Sequence, residues 1–170
     1  METIETLYQQ YHKPIFTYLY GLTHSTQAAE DLTQETFLQI IKSIHTFRGD
    51  SKVTTWIYGI ARNVYRKWMA RNKNLKIDSS PIPDDHPDMA QSNSPEKTLE
   101  SKENSKSIYL VLSCMPEHQK ELIILRDWHS LSYEEIAKIM NRSLSWVKVN
   151  IYRSRAAFQK IYSQKEELIK

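Results

Sequence analysis

The stretch "LSYEEIAKIMNRSLSWVKVNIYRSRAAF", residues 131–158, is rich in side chains that can read DNA. In a major groove, Arg and Lys pair with guanine edges, Asn pairs with adenine, and apolar groups touch thymine methyls. Lys148, Asn150 and Arg153 offer the first two chemistries, and Trp146 and Val149 the third. On a helix beginning near Ser143 or Ser145, Val147, Ile151, Ser154 and Phe158 fall on one side. Trp146, Val149, Tyr152 and Arg153 point largely to the other. A short helix, a tight polar turn and a basic amphipathic helix form the layout of a helix-turn-helix reader. An ordinary helical hairpin with solvated charges has the same spacing.

A second basic region lies upstream. Residues 42–76 hold nine Lys or Arg against one acid, Asp50, and residues 142–165 hold six bases and no acid. Arg62, Arg66 and Lys67 stand off the apolar stripe of their helix, near Asn63 and Tyr65, with Arg71, Lys73 and Lys76 following. Cations mixed with aromatic rings suit a nucleic-acid strand, because the cations take phosphates while the rings stack on unpaired bases. The alternative is a wet helix face, with Trp56 and Trp68 in the core.

In "AEDLTQETFLQ", Asp31, Gln34, Glu35 and Leu38 recur at i, i+3, i+4 and i+7, opposite Phe37 and Ile41, which the pattern buries. Such an acceptor stripe can meet a basic helix of a protein partner, or simply face water. No Gly-rich phosphate loop appears, and the six histidines show no i, i+4 pair framing a carboxylate. The expectation is therefore no catalytic residue, no metal, no cofactor and no small-molecule substrate. The chain reads as a binding protein rather than an enzyme.

The elements that must position these residues are helices. Three glycines in 170 residues, with frequent Leu, Ile, Lys, Glu and Gln, favour an all-α fold. Ile4, Leu7, Tyr11, Ile15, Leu19 and Leu22 mark a first helix ending near Gly21. A second starts near Gln27 and buries Phe37, Ile40, Ile41 and Ile44. A third has the stripe Ile57, Ile60, Ala61, Val64 and Trp68. Beyond them, Ile108, Val111, Leu112 and Met115 mark another helix, and Pro116 suits the first turn of the next. Ser132 and Glu135 match a capping box.

Between the halves, residues 78–103 hold four of the six prolines, and seven acids against two bases, the composition of a flexible acidic linker. The expected organisation is a domain over 1–77, a linker over 78–103 and a domain over 104–170. Cys114 is the only cysteine, which excludes an intrachain disulfide. The start, "METIETLYQQ", lacks a secretory layout, and the expected location is the cytoplasm.

"AEDLTQETFLQIIKSIHTFRGDSKVTTWIYGIARN", followed by a linker and "MPEHQKELIILRDWHSLSYEEIAKIMNRSLSWVKVNIYRSRAAF", resembles the extracytoplasmic-function (ECF) group of bacterial RNA polymerase sigma factors. The resemblance covers both halves in the right order. It implies a sigma-2 helical bundle over 1–77 and a sigma-4 helix-turn-helix domain over 104–170. It also implies docking of Asp31, Gln34, Glu35, Phe37 and Leu38 on the β′ clamp helices of core RNA polymerase. Arg48, Lys52, Trp56, Arg62, Asn63, Arg66 and Lys67 then belong to the region that melts and holds the minus-10 element of promoter DNA. Ser145, Trp146, Lys148, Val149, Asn150, Tyr152, Arg153 and Arg155 belong to the helix that reads the minus-35 element, whose other face meets the β flap. Members of the group are commonly held by an anti-sigma protein, often membrane-bound.

Two departures from the family pattern stand out. Lys67 occupies a position where many members carry Asp, and the common Gly-Thr-Val-Lys-Ser-Arg run reads here as Ser145 to Asn150. The usual minus-35 sequence is therefore not carried over. The acidic linker invites the hypothesis that it mimics RNA near the exit path. A dimeric helix-turn-helix regulator is the alternative function, and a polymerase-binding inhibitor that does not use Arg153 is a third.

Overall fold

The computed structural model describes residues 2–73 and 95–169, with side chains over 104–168 in the second stretch. Every regular element among the described residues is helical. The stretch read as linker is outside them up to residue 94, and so is the RNA-mimic hypothesis. From Pro95 onward, however, residues expected in that linker are helical. Proline is tolerated at a first helical position, where its missing N–H is an orphan in any case, and Glu96, Lys97 and Leu99 behind it are good helix formers.

The first half is a three-helix bundle. Helix α1 (Ile4–Thr23) starts at Thr3, whose hydroxyl accepts from the Thr6 N–H, and ends at His24 in the left-handed region, φ 55°. Helix α2 (Thr26–Ser43) is capped by Ser25, and a 3₁₀ turn (Ile44–Thr46) extends it. Helix α3 (Val53–Arg71) follows a loop in which Gly49 takes φ 79°, a conformation open to glycine without a Cβ clash. Leu7, Ile15, Leu19, Leu32, Ile40, Ile57 and Ala61 close the core. Full burial of each Leu and Ile side chain there contributes about 1.5–3 kcal/mol.

Two expectations about α2 are corrected. Ile41 is half exposed, because the inner face runs through Ala29, Leu32, Thr33, Thr36, Phe37 and Ile40, and one further residue turns the chain outward beside Leu38. Ile44 is only partly buried, in the 3₁₀ turn.

The second half contains α4 (Pro95–Ser113), α5 (Glu117–Ile123) running into a π-helical turn (Ile124–Trp128), α6 (Tyr133–Met140) and α7 (Leu144–Ile169). Ser132 and Glu135 form the expected capping box: the Ser132 Oγ accepts from the Glu135 N–H at 3.1 Å, and Glu135 Oε2 accepts from the Ser132 N–H at 2.8 Å. Asn141 closes α6 at φ 53°, and Ser143 opens α7 by accepting from the Trp146 N–H at 3.1 Å. The turn between the two helices is therefore fixed at both ends.

The halves pack against one another through one continuous core. A Cβ on Gly21 would lie 2.8 Å from Ile124 Cδ1, so glycine there lets α1 approach the π turn. Tyr20 and Tyr109 meet edge to face at 5.0 Å. Helix α3 also lies against α6.

Candidate nucleic-acid interface

In the second half, α7 buries Val147, Ile151 and Ser154, which orients the opposite face outward. Ser145, Lys148, Val149, Tyr152 and Arg153 are exposed there, Tyr152 at 78%. An exposed Val and Tyr between two cations form a surface able to meet thymine methyls and base edges together.

Three residues of the expected reading set are less free. Trp146 is half-buried: the Arg142 guanidinium lies 4.8 Å from its ring centre and His118 packs at 6.4 Å. It forms a wall beside the reading face. The Asn150 amide donates one of its two N–H groups to the Trp146 carbonyl at 2.8 Å, so the other N–H and the oxygen are left for a base edge. Arg155 donates two hydrogen bonds to the Asp127 carboxylate, at 2.5 and 3.2 Å, and ties α7 to the π turn. Arg155, expected among the readers, thus has a carboxylate partner within the chain.

In the first half, Asn63, Arg66 and Lys67 are exposed along α3. Asn63 and Lys67 line a groove of about 170 Å³ between α2 and α3, together with Glu35, Gln39, Ser43 and Arg71. The Gln39 amide donates to Glu35 Oε1 at 2.7 Å, which fixes the acidic wall of this groove opposite its basic one. Gln39 was missed in the sequence, whereas Arg71 was read there only as part of the basic block. Arg71 follows Asn63 and Lys67 at four-residue steps, which puts the three on one wall. Near the start of α3, Trp56 packs on Phe47 at 4.9 Å, with Arg48 and Lys52 exposed in the loop beside them.

The acceptor stripe on α2 is present as Asp31, Gln34, Glu35 and Leu38, and exposed Ile41 extends it by one turn. Phe37 does not belong to it. It is 5% exposed and packs edge to face on Tyr8 at 5.0 Å, so it holds α2 on α1 and offers nothing to a partner.

Arg62 was expected on the open basic face, but it turns to the second half. Its Nε donates to Glu121 at 2.8 Å, and the Tyr18 hydroxyl donates to the same carboxylate oxygen at 2.8 Å. Tyr65, expected among the outward bases, is buried and donates to Glu117. The Tyr58 hydroxyl meets His129 Nδ1 at 2.7 Å. Burial, followed by the charge of Glu121, pushes the Tyr18 phenol well above its ordinary range. Burial alone lowers His129 to about 4. Lys52 reaches Glu135 at 3.2 Å. These partners are far apart in sequence, and single-helix periodicity gives no sign of them.

Known proteins match on both halves. The description "Sigma-70 region 2" matches residues 7–74, and "Sigma-70, region 4" matches 105–158. The chain belongs to the sigma-70 family, in its extracytoplasmic-function group. RNA polymerase sigma factor YlaC of Bacillus subtilis is 33% identical over 168 residues, covering 98% of this chain and 95% of that protein. The ECF RNA polymerase sigma factor SigX of the same organism is 31% identical, covering 94% and 83%. Among solved structures, the fold is shared with the sigma factor RpoE in complex with the anti-sigma factor NepR from Bartonella quintana. The TM-score is 0.74 at 22% identity, covering 94% of this chain and 96% of that one. CnrH in complex with the cytosolic domain of CnrY gives 0.68 at 16% identity, covering 95% and 88%.

As a sigma factor, the chain serves promoter-specific initiation by RNA polymerase. The dimeric regulator is not supported, since both halves match sigma regions in sigma order. Among the described residues no helix is long and apolar enough to cross a membrane.

Proposed function

We propose a division of labour among the exposed faces of this sigma factor. Asp31, Gln34, Glu35 and Leu38, extended by Ile41, bind the β′ clamp helices of core polymerase. Asn63, Arg66 and Lys67, with Trp56, Arg48 and Lys52 at the head of α3, melt and hold the minus-10 element. Ser145, Lys148, Val149, Tyr152 and Arg153 read the minus-35 element as duplex, and the opposite side of the second domain meets the β flap. The domains span about 1–77 and 104–170 in this reading.

The observation that carries it is the segregation of chemistry by face. Glu35 of the acceptor stripe and Asn63, Lys67 and Arg71 of α3 flank one groove, while the α7 face holds exposed Val149 and Tyr152 between cations. Extruding a base costs a few kcal/mol of unstacking, which a shaped pocket and neighbouring cations offset. A groove with Asn63, Lys67 and Arg71 on one wall supplies both. The protein acts in the cytoplasm, with no chemistry of its own. An anti-sigma protein is its expected regulator, as NepR and CnrY are partners in the two solved complexes.

Run-off transcription on a pool of genomic fragments, with core polymerase and with or without this chain, tests the reading. New discrete start sites that need the protein, sharing two upstream elements, are the expected result. Failure to obtain them, together with palindromic duplex binding in the absence of polymerase, would overturn it.

A further inference from the structure

We infer that Asn150 fixes one base pair of the minus-35 element as A·T, reading its adenine with an amide that the Trp146 carbonyl holds in one orientation. The inference rests on the sigma reading above and adds Asn150 to the residues that decide which promoter is chosen.

Helix propensity does not account for this residue. Asn is a poor choice for a helix interior, because its short amide competes for backbone hydrogen bonds. Asn150 nevertheless stands in the first two turns of α7, the part of a recognition helix that meets base edges, and it is partly exposed there. Its backbone is held, since Ser154 Oγ donates to the Asn150 carbonyl at 2.6 Å. Its side chain is held as well, by the 2.8 Å hydrogen bond from Nδ2 to the Trp146 carbonyl. That carbonyl belongs to an anchored residue. The Trp146 N–H donates to Ser143 Oγ at 3.1 Å, and the indole packs against Arg142 and His118.

A carbonyl only accepts, so the nitrogen end of the Asn150 amide must face Trp146, and the oxygen end is placed with it. An amide free to turn over could exchange its two ends, but this one would lose its bond in doing so. Counting the remaining groups then decides the base. With one N–H spent, one donor and one acceptor are left. Adenine presents the matching pair in the major groove, N7 as acceptor and the N6 amino group as donor. Guanine presents two acceptors, N7 and O6, and would set the Asn150 oxygen against another oxygen. The cytosine amino group and thymine O4 each engage only one of the two groups. The other exposed residues of this face cannot make that choice. Lys148 and Arg153 only donate, and the Val149 side chain has no polar group. The hydroxyls of Ser145 and Tyr152 rotate to suit a donor or an acceptor, so they discriminate little.

The test is run-off transcription by core polymerase with the full chain, on a promoter pool whose minus-35 element is randomised, with the transcripts sequenced to give the preference at each base pair. Asn150→Ala removes the amide. Asn150→Asp keeps its shape but removes both N–H groups, and helical circular dichroism checks that each variant folds. In the parent, one position should prefer A·T over the other three pairs by about 5- to 150-fold, the range of a single bidentate base contact. In both variants that preference should vanish while the preferences at other positions stay, which is the mark of a base contact and not of a phosphate contact. No such A·T position in the parent, an equal loss across all sequences in Asn150→Ala, or the same A·T preference surviving in either folded variant would each overturn the assignment. Absence of run-off from every form would instead strike at the sigma reading. Selection of the same randomised duplex by the full chain alone would then still show whether Asn150 chooses adenine.

Discussion

Mild acid should loosen this protein before its carboxylates titrate, and the reason lies in two histidines at the seam. His24 and His129 are both held neutral by burial, with pKa values lowered from 6.5 to about 4, Lys120 adding to the effect at His24. Neither ring nitrogen of His24 has a hydrogen-bond partner, nor does Nε2 of His129, so a new charge on either ring would be unsolvated. Between the two pKa values the unfolded chain binds protons that the folded chain refuses. Stability must therefore fall as pH drops through about 6.5 and level off only near 4. At about 1.36 kcal/mol per pKa unit, each histidine costs about 2 kcal/mol by pH 5, and the pair about 4. That is a large share of a typical stability of about 5–15 kcal/mol. Glu135, whose carboxylate is held below its usual range by the Ser132 N–H and Lys52, loses its contribution only at lower pH, as it protonates. Urea unfolding at pH of about 7 and 5 measures the effect, and with a slope of about 2 kcal/mol per molar the midpoint should drop by about 2 M. His129→Phe should remove about half of the pH dependence, whatever it does to stability at neutral pH. Equal midpoints at the two pH values, or a full pH dependence surviving in a variant lacking both histidines, would refute the reasoning.

Three further outcomes test the interfaces. Asp31→Ala combined with Glu35→Ala should weaken core polymerase binding in a pull-down while leaving helical circular dichroism intact, because both side chains point away from the core. Asn63→Ala should impair promoter opening more than closed-complex formation, and unchanged permanganate reactivity of the minus-10 thymines would count against its role. Arg153→Ala should lower promoter-dependent run-off without changing affinity for core polymerase, by about 1–3 kcal/mol if it pairs with a base edge. Unchanged transcription in that variant would favour an inhibitor that binds polymerase without reading DNA.

How much of this was legible in the sequence depended on how local the physics is. The capping box at Ser132 and Glu135 was readable because both partners lie within one helical turn. The buried side of α7 was readable because Val147, Ile151 and Ser154 repeat at the helical period. Phe37 was placed in the core by its period and also among the polymerase contacts by resemblance, and the structure shows the first. That helix α4 begins already at Pro95, inside the stretch read as linker, was not legible, because proline at a first helical position looks like any other linker proline until the helix behind it is seen.

The interface between the halves was illegible for a different reason. Tyr58, Arg62 and Tyr65 recur at i, i+4 and i+7, so α3 visibly has a second organised face beside its core stripe. Glu117 and Glu121 show the same spacing on α5 and look like any wet helix face. Periodicity reports that a face exists but not which face it meets, and here the partners are 52 and 59 positions apart. The basic count over 42–76 therefore treated Arg62 and Asn63 as neighbours in one surface. A step of about 100° along the helix separates them into two: Asn63 faces the groove beside Glu35, and Arg62 faces a carboxylate from the other half. Two adjacent residues assigned to one DNA contact can thus face quite different surroundings. Asn63 is exposed, whereas Arg62 is held by Glu121.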